Sequence, residues 1–177
     1  MNKEIEKIVL TGLFIAIGVV LAPLFHSAGL GQVFSPMHFP VLVCGLLLGW
    51  KYGLITGLLT PLITSFMLQT PPLFPMATVM SLELAVYGLL SGLIYNKCSL
   101  FTSKIANVYV ALIVAMIAGR IVYGLTYGIL FVLGLSDFAF STYVTSLFVV
   151  GLPGIVLQIL IVPAVVMTIE RKKAFEE

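Results

Sequence analysis

The sequence predicts an all-α integral membrane protein, a bundle of six transmembrane helices, and three observations carry that prediction. Of its 177 residues, 60% are hydrophobic and only 9% are charged, with a mean hydropathy of +1.18. Water-soluble domains carry about a quarter charged residues. The apolar residues fall in long unbroken runs, not in the short period-two segments of a β-barrel. A helical span takes about 20 mostly apolar residues, so this length suits roughly six spans joined by short loops, with no separate soluble domain.

Apolar runs bounded by charge, Pro or Gly place the helices near residues 7–25, 37–50, 53–68, 78–96, 105–133 and 141–168 of a single membrane domain, 1–177. The first run follows Lys3 and Lys7 and leads to no small-residue cleavage site with a soluble chain beyond it. It reads as a retained helix, not as a signal peptide. The second starts after Pro36, is short, and is separated from the third by Trp50, Lys51 and Tyr52, a composition suited to a tight interfacial turn. Pro61 in the third helix and Pro153 and Pro163 in the sixth are expected to kink their helices, which neighbours in a bundle can accommodate.

Positive charge sets the orientation. Lys3 and Lys7 precede the first helix, Lys51 joins the second and third, Lys97 and Lys104 join the fourth and fifth, and Arg171, Lys172 and Lys173 follow the sixth. With six crossings all of these share one face, which the positive-inside rule makes cytoplasmic, both termini included. The opposite loops, 26–36, 69–77 and 134–140, contain no Lys or Arg. Of these, His26 to Gln32 is flexible in composition, whereas Gln69 to Pro75 holds three prolines whose φ angles are fixed. A movable lid over a rigid rim is one reading; simple connectors are the other. Cys44 lies in an apolar run and Cys98 in a basic loop on the reducing side, so no disulfide is expected.

Glu83 and Arg120 are the two ionisable side chains inside otherwise apolar spans, and each costs about 2.5–3.5 kcal/mol at a helix centre unless paired or facing a wet cavity. They either face an outward cavity or form a structural ion pair between helices. Arg120, Tyr123 and Tyr127 share one face of the fifth helix, and Met76, Met80, Glu83 and Tyr87 form a similar stripe into the fourth. A guanidinium beside aromatic rings suits a flat anionic molecule, its carboxylate on the fork and its ring on the tyrosines. Stripes of this kind are also what ordinary packing produces.

His38 sits between Pro36 and Pro40 at the outer mouth of the second helix, where its ring either meets a ligand or bonds a nearby carbonyl. Asp137 reads as a turn or helix cap, and Gln158 as an interhelical hydrogen bond or a pocket donor. In the first helix Gly12 with Ala16 and Gly18 with Ala22 place small residues four apart, open to close approach by a partner subunit or by a helix of this chain. The sequence has no G-x-x-x-x-G-K-[ST], G-x-S-x-G or H-E-x-x-H, so it lacks the phosphate loop, nucleophile elbow and zinc-protease ligands, and its two histidines and two cysteines make no metal pattern.

The run Ser35-Pro-Met-His-Phe-Pro40 opening a short second helix, the run Gly49-Trp-Lys-Tyr-Gly53, six helices in under two hundred residues, and Gly12 with Ala16 together resemble the substrate-binding S components of energy-coupling factor (ECF) vitamin importers. Gly12 stands where that family often has the first alanine of an alanine-xxx-alanine motif. The resemblance implies capture of a water-soluble vitamin or related micronutrient at the outer face of a bacterial plasma membrane, under the loop between the first two helices. It also implies docking, through Gly12 and Ala16, to one transmembrane coupling subunit and two ATPase subunits, so that this chain needs no cofactor and ATP is used by its partners. Within that frame Arg120, Tyr123, Tyr127, Glu83, Tyr87 and His38 are the expected substrate-binding residues, with niacin the first candidate and pantothenate the next. Two other classes stay open on the residues alone: an intramembrane enzyme using Glu83 and His38 as acid and base, and a channel or secondary transporter working alone, for which no internal repeat is visible.

Overall fold

The computed structural model describes residues 3–27, 29, 34–97, 102–135 and 151–176, with side chains up to residue 172 in the last of these. Every regular element among them is helical: α1 (Lys3–Ser27), α2 (His38–Leu48), α3 (Trp50–Leu68), a wide turn over Leu73–Ala77, α4 (Thr78–Lys97), α5 (Lys104–Val132) and α6 (Leu152–Glu176). The first five agree with the predicted spans to within a few residues. The sixth differs: its described part starts at Leu152 and runs to Glu176, past the expected end at 168, while 141–150 lie outside the described residues. Asp137 and Cys98 lie outside them too. Pro153 is the second residue of α6, in the first turn, where its missing N–H is not needed, so it starts the helix and no kink is required there.

Five of these helices are long and apolar enough to cross a membrane; α2 is the exception. Its 11 residues rise about 16 Å, short of a hydrocarbon core of about 30 Å. What α2 does instead is fill the middle of the bundle: all its residues except Phe39 and Leu47 are buried. A helix apolar on every side has to be covered on every side, and α1, α3, α4 and α6 cover it. The core that results joins Val41, Leu42 and Leu46 of α2 to Leu84 and Tyr87 of α4, Val108, Ala111 and Leu112 of α5, and Val162 and Val166 of α6.

The junction between α2 and α3 is a single residue. Gly49 takes φ 103°, ψ 169°, a conformation essentially confined to glycine, and its N–H donates to the Gly45 carbonyl at 3.0 Å to close α2. Trp50, Lys51 and Tyr52 are therefore the first turn of α3 and not the turn itself. Trp50 still marks an interface, with the ammonium groups of Lys51 and Lys97 at 5.7 and 6.0 Å from its ring. At the same end Tyr52 donates to Glu4 at 2.9 Å, and Tyr95 donates to Glu170 at 2.6 Å, tying α1 to α3 and α4 to α6.

α2, α3 and α4 meet backbone to backbone. A Cβ on Gly88 would strike the Gly53 carbonyl, and one on Gly57 would strike the Leu84 carbonyl, so these crossings admit glycine alone. The buried hydroxyls nearby satisfy themselves within α3: Thr56, Thr60 and Thr64 donate to the carbonyls four residues back at 2.8, 2.7 and 2.7 Å. α1 lies on the outside of this unit and its two small pairs part company. Gly18 faces Thr60 and Pro40, and Ala22 is buried, whereas Gly12 and Ala16 are exposed and a Cβ on Gly12 would meet nothing within 4 Å.

Gly88→Leu is expected to abolish recovery of a monodisperse protein from detergent, while Gly12→Leu leaves recovery at the wild-type level; size-exclusion chromatography of the two variants side by side is the check. Normal elution of Gly88→Leu would refute the backbone contact.

Candidate ligand-binding site

The site lies at the end of the bundle where α1 finishes and α2 begins, opposite the end that carries Trp50 and Tyr95. It begins with a turn. Ser35 has φ 45°, Pro36 follows it, and the His38 backbone N–H donates to the Ser35 carbonyl at 3.1 Å, a four-residue turn with proline at its favoured second position. The turn ends as α2 begins, so His38 is the first residue of a helix buried on all sides. Its side chain is aimed by the same carbonyl, which lies 3.1 Å from Nδ1. A carbonyl can only accept, so Nδ1 carries the hydrogen of that bond.

The other ring nitrogen points at a carboxylate. His38 Nε2 is 3.7 Å from Glu83 Oε1, and the same oxygen is 3.1 Å from Arg120 Nη1. Both His38 and Glu83 are buried, whereas a fifth of the Arg120 side chain is exposed. Neither contact has hydrogen-bond alignment at Oε1, so Glu83 is held by charge at close range and keeps lone-pair capacity unfilled. Tyr87, one turn further along α4, is buried and packs edge-on against the His38 ring at 5.1 Å and 63°. Gly119 makes this possible: a Cβ there would collide with the Tyr87 ring. Three helices thus deliver one polar cluster, α2 supplying His38, α4 Glu83 and Tyr87, and α5 Arg120.

Bordering His38 is a cavity of about 310 Å³. Its walls are Ala22, Pro23 and His26 from the end of α1, the turn Ser35–His38, Thr70, Pro71 and Pro72, and Met76 and Met80 leading into α4. Among the described residues no Lys, Arg, Asp or Glu lines it. The walls are mostly proline and thioether, stiff on one side and polarisable on the other. Among the described residues no group of three or more His, Cys, Asp or Glu could hold a metal ion.

Of the six residues expected to bind substrate, His38 alone lines this cavity; Glu83, Arg120 and Tyr87 stand behind it in the cluster. Tyr123 and Tyr127 are further out on α5 and pack on each other, ring centroids 5.0 Å apart. Glu83 and Arg120 form an ion pair, and His38 stands between that pair and the hollow. Gln158 is fully buried, and among the described residues neither atom of its amide has a hydrogen-bond partner. The walls contributed by Met37, Pro71, Pro72 and Ala22 were not assigned from sequence. The Pro-rich loop and the Met76, Met80 stripe were the visible signals for part of them.

Apolar helices around an end-on hollow backed by buried charge define a membrane protein suited to holding a small molecule between its helices. The family model for the substrate-specific component of ECF transporters matches residues 6–166, and the chain belongs to that family. Neither the curated proteins nor the solved structures contain a match. Members of the family are substrate-binding transport subunits, not enzymes, which sets aside the intramembrane-enzyme reading, and they associate with an ECF energising module.

Removing Glu83 takes from Arg120 the carboxylate that lies 3.1 Å from its guanidinium. Glu83→Leu is expected to destabilise the protein by about 3 kcal/mol, the lower end for breaking a buried pair because Arg120 is partly exposed. The double variant Glu83→Leu/Arg120→Met should recover most of that loss. Thermal unfolding in detergent compares the three.

Proposed function

We propose that this chain captures a small water-soluble vitamin or related micronutrient in the cavity between α1, the Ser35–His38 turn and the start of α4, for ATP-driven uptake. The observation that carries the proposal is the placement of His38, one face in the hollow and its ring nitrogens on Ser35 and on the Glu83–Arg120 pair. In this reading the substrate's charged end lies against His38, with Arg120 supplying positive field from behind, and Tyr123 and Tyr127 offer ring surface further out on α5. Niacin is the first candidate and pantothenate the second, since each joins one carboxylate to a compact body that a cavity of about 310 Å³ can hold.

The rest of the proposal concerns assembly. The chain sits in a bacterial plasma membrane with six crossings and both termini cytoplasmic, α2 being a short crossing completed by its neighbours. Gly12 and Ala16 form the open part of α1 against which a transmembrane coupling subunit docks, and two ATPases attached to that subunit supply the energy. This chain itself holds no cofactor. Exposure of Gly12 and Ala16, with Leu13 and Ile17 beside them, supports that assignment.

Native mass spectrometry of gently purified protein is expected to show a co-purifying small molecule whose mass identifies the substrate. Met76→Trp, which fills the cavity from a partly exposed wall position, should remove that mass without lowering the yield of folded protein. Retention of the ligand by Met76→Trp would place binding elsewhere. Ala16→Leu, in contrast, should keep the ligand and lose co-purification with the coupling subunit.

A further inference from the structure

We propose that Lys51 and Lys97, gathered on the Trp50 ring, hold the phosphate of an anionic membrane lipid whose acyl chain lies along α3. Lys51 is the second residue of α3 and Lys97 the last of α4, yet their ammonium groups lie 5.7 and 6.0 Å from the same indole ring. That is the range over which a cation is attracted to an aromatic face. The frame beneath them is closely packed. A Cβ on Gly92 would strike the backbone nitrogen and Cα of Trp50, so the start of α3 rests directly on the backbone of α4. Two cations from different helices are thereby kept beside one ring.

Neither cation is neutralised within the chain. Among the described residues no carboxylate lies within ion-pair distance of Lys51 or Lys97. Two carboxylates at this end are engaged elsewhere: Glu4 accepts from Tyr52, and Glu170 accepts from Tyr95 and lies 3.9 Å from Lys104. Lys51 and Lys97 are both exposed, and each ammonium carries three donors. A phosphate accepts charge-assisted hydrogen bonds from lysine, and one placed between the two ammonium groups takes donors from both.

What selects a lipid over a free phosphate is the surface that continues from Lys51. Ile55, Leu59 and Phe66 follow it at i+4, i+8 and i+15 on one face of α3, and they are 44%, 40% and 83% exposed. At about 1.5 Å per residue this stripe runs about 22 Å from Lys51, deeper than one leaflet of a hydrocarbon core of about 30 Å. A cation at the head of an apolar stripe matches one lipid molecule, its headgroup at the water boundary and its chain in the bilayer. Trp50 stands at the junction, where aromatic side chains settle in membrane proteins. A zwitterionic headgroup brings its own ammonium to its phosphate, so the two lysines favour a lipid that lacks one.

Trp50 is the sole tryptophan of the chain, so its fluorescence reads this place directly. The test reconstitutes the purified full-length chain in vesicles of phosphatidylcholine with a minor fraction of phosphatidylglycerol. Bromine is carried on the acyl chains of the phosphatidylglycerol or of an equal amount of the phosphatidylcholine. Brominated phosphatidylglycerol is expected to quench Trp50 as though enriched roughly fivefold or more over its bulk fraction, the preference that one lysine near an anionic surface supplies. Brominated phosphatidylcholine should quench no more than its bulk fraction predicts. Lys97→Gln should lower the preference, Lys51→Gln/Lys97→Gln should abolish it, and Lys104→Gln should keep it. Equal quenching by the two lipids in the wild-type chain would overturn the inference and leave these cations to an acidic protein surface. Survival of the preference in the double variant, or its loss in Lys104→Gln to the same degree, would overturn it as well, by spreading the attraction over the whole basic rim. Abolition of the preference by millimolar glycerol phosphate would overturn the lipid assignment in favour of a soluble phosphate ester.

Discussion

A carboxylate buried within a lipid-embedded bundle is the constraint around which this protein is arranged. Glu83 lies at the meeting point of three helices and is reached by Arg120 from α5 and His38 from α2. An isolated carboxylate there would cost several kcal/mol, so the helices that bring its two counter-groups cannot drift apart without exposing that cost. The glycine crossings set how closely α2, α3 and α4 approach, and Gly119 leaves room for the Tyr87 ring against α5 beside the cluster. Tight backbone packing and buried charge act on the same point of the bundle. The first makes the second geometrically possible.

The cavity inherits its character from that arrangement. Its floor is His38, fixed by a proline turn on one side and by the carboxylate on the other, and its sides are prolines and methionines that offer surface without charge. Polar groups border it too, His26 at the end of α1, Ser35 in the turn and Thr70 beside the prolines. Mostly apolar walls with a few placed polar groups are the usual balance in small-molecule sites.

Much of this was legible in the sequence, and the gaps have physical causes. Segregation of Lys and Arg onto alternate connections marked the spans, and the rarity of charge within them singled out Glu83 and Arg120. That the two meet could not be read from either helix alone, because the relative rotation of helices is set by packing partners distant in the chain. The central position of α2 was equally hidden: a helix apolar all round looks the same whether lipid or protein surrounds it, and its short length was the sole hint. Gly49 as the complete turn was missed because Trp50, Lys51 and Tyr52 carry a stronger interfacial signature than one glycine does. The Pro-rich stretch was legible as stiff, while its role as a cavity wall depended on α1 ending opposite it.

The division of α1 into two faces has a mechanical meaning. Gly12 and Ala16 look away from the bundle, while Ala22, Pro23 and His26 border the hollow, and about 16 Å of continuous helix joins Gly12 to Pro23. A rod of that length acts as a lever: a tilt of a few degrees at Gly12 displaces Pro23 sideways by about an ångström, enough to widen or pinch the hollow that the same rod borders.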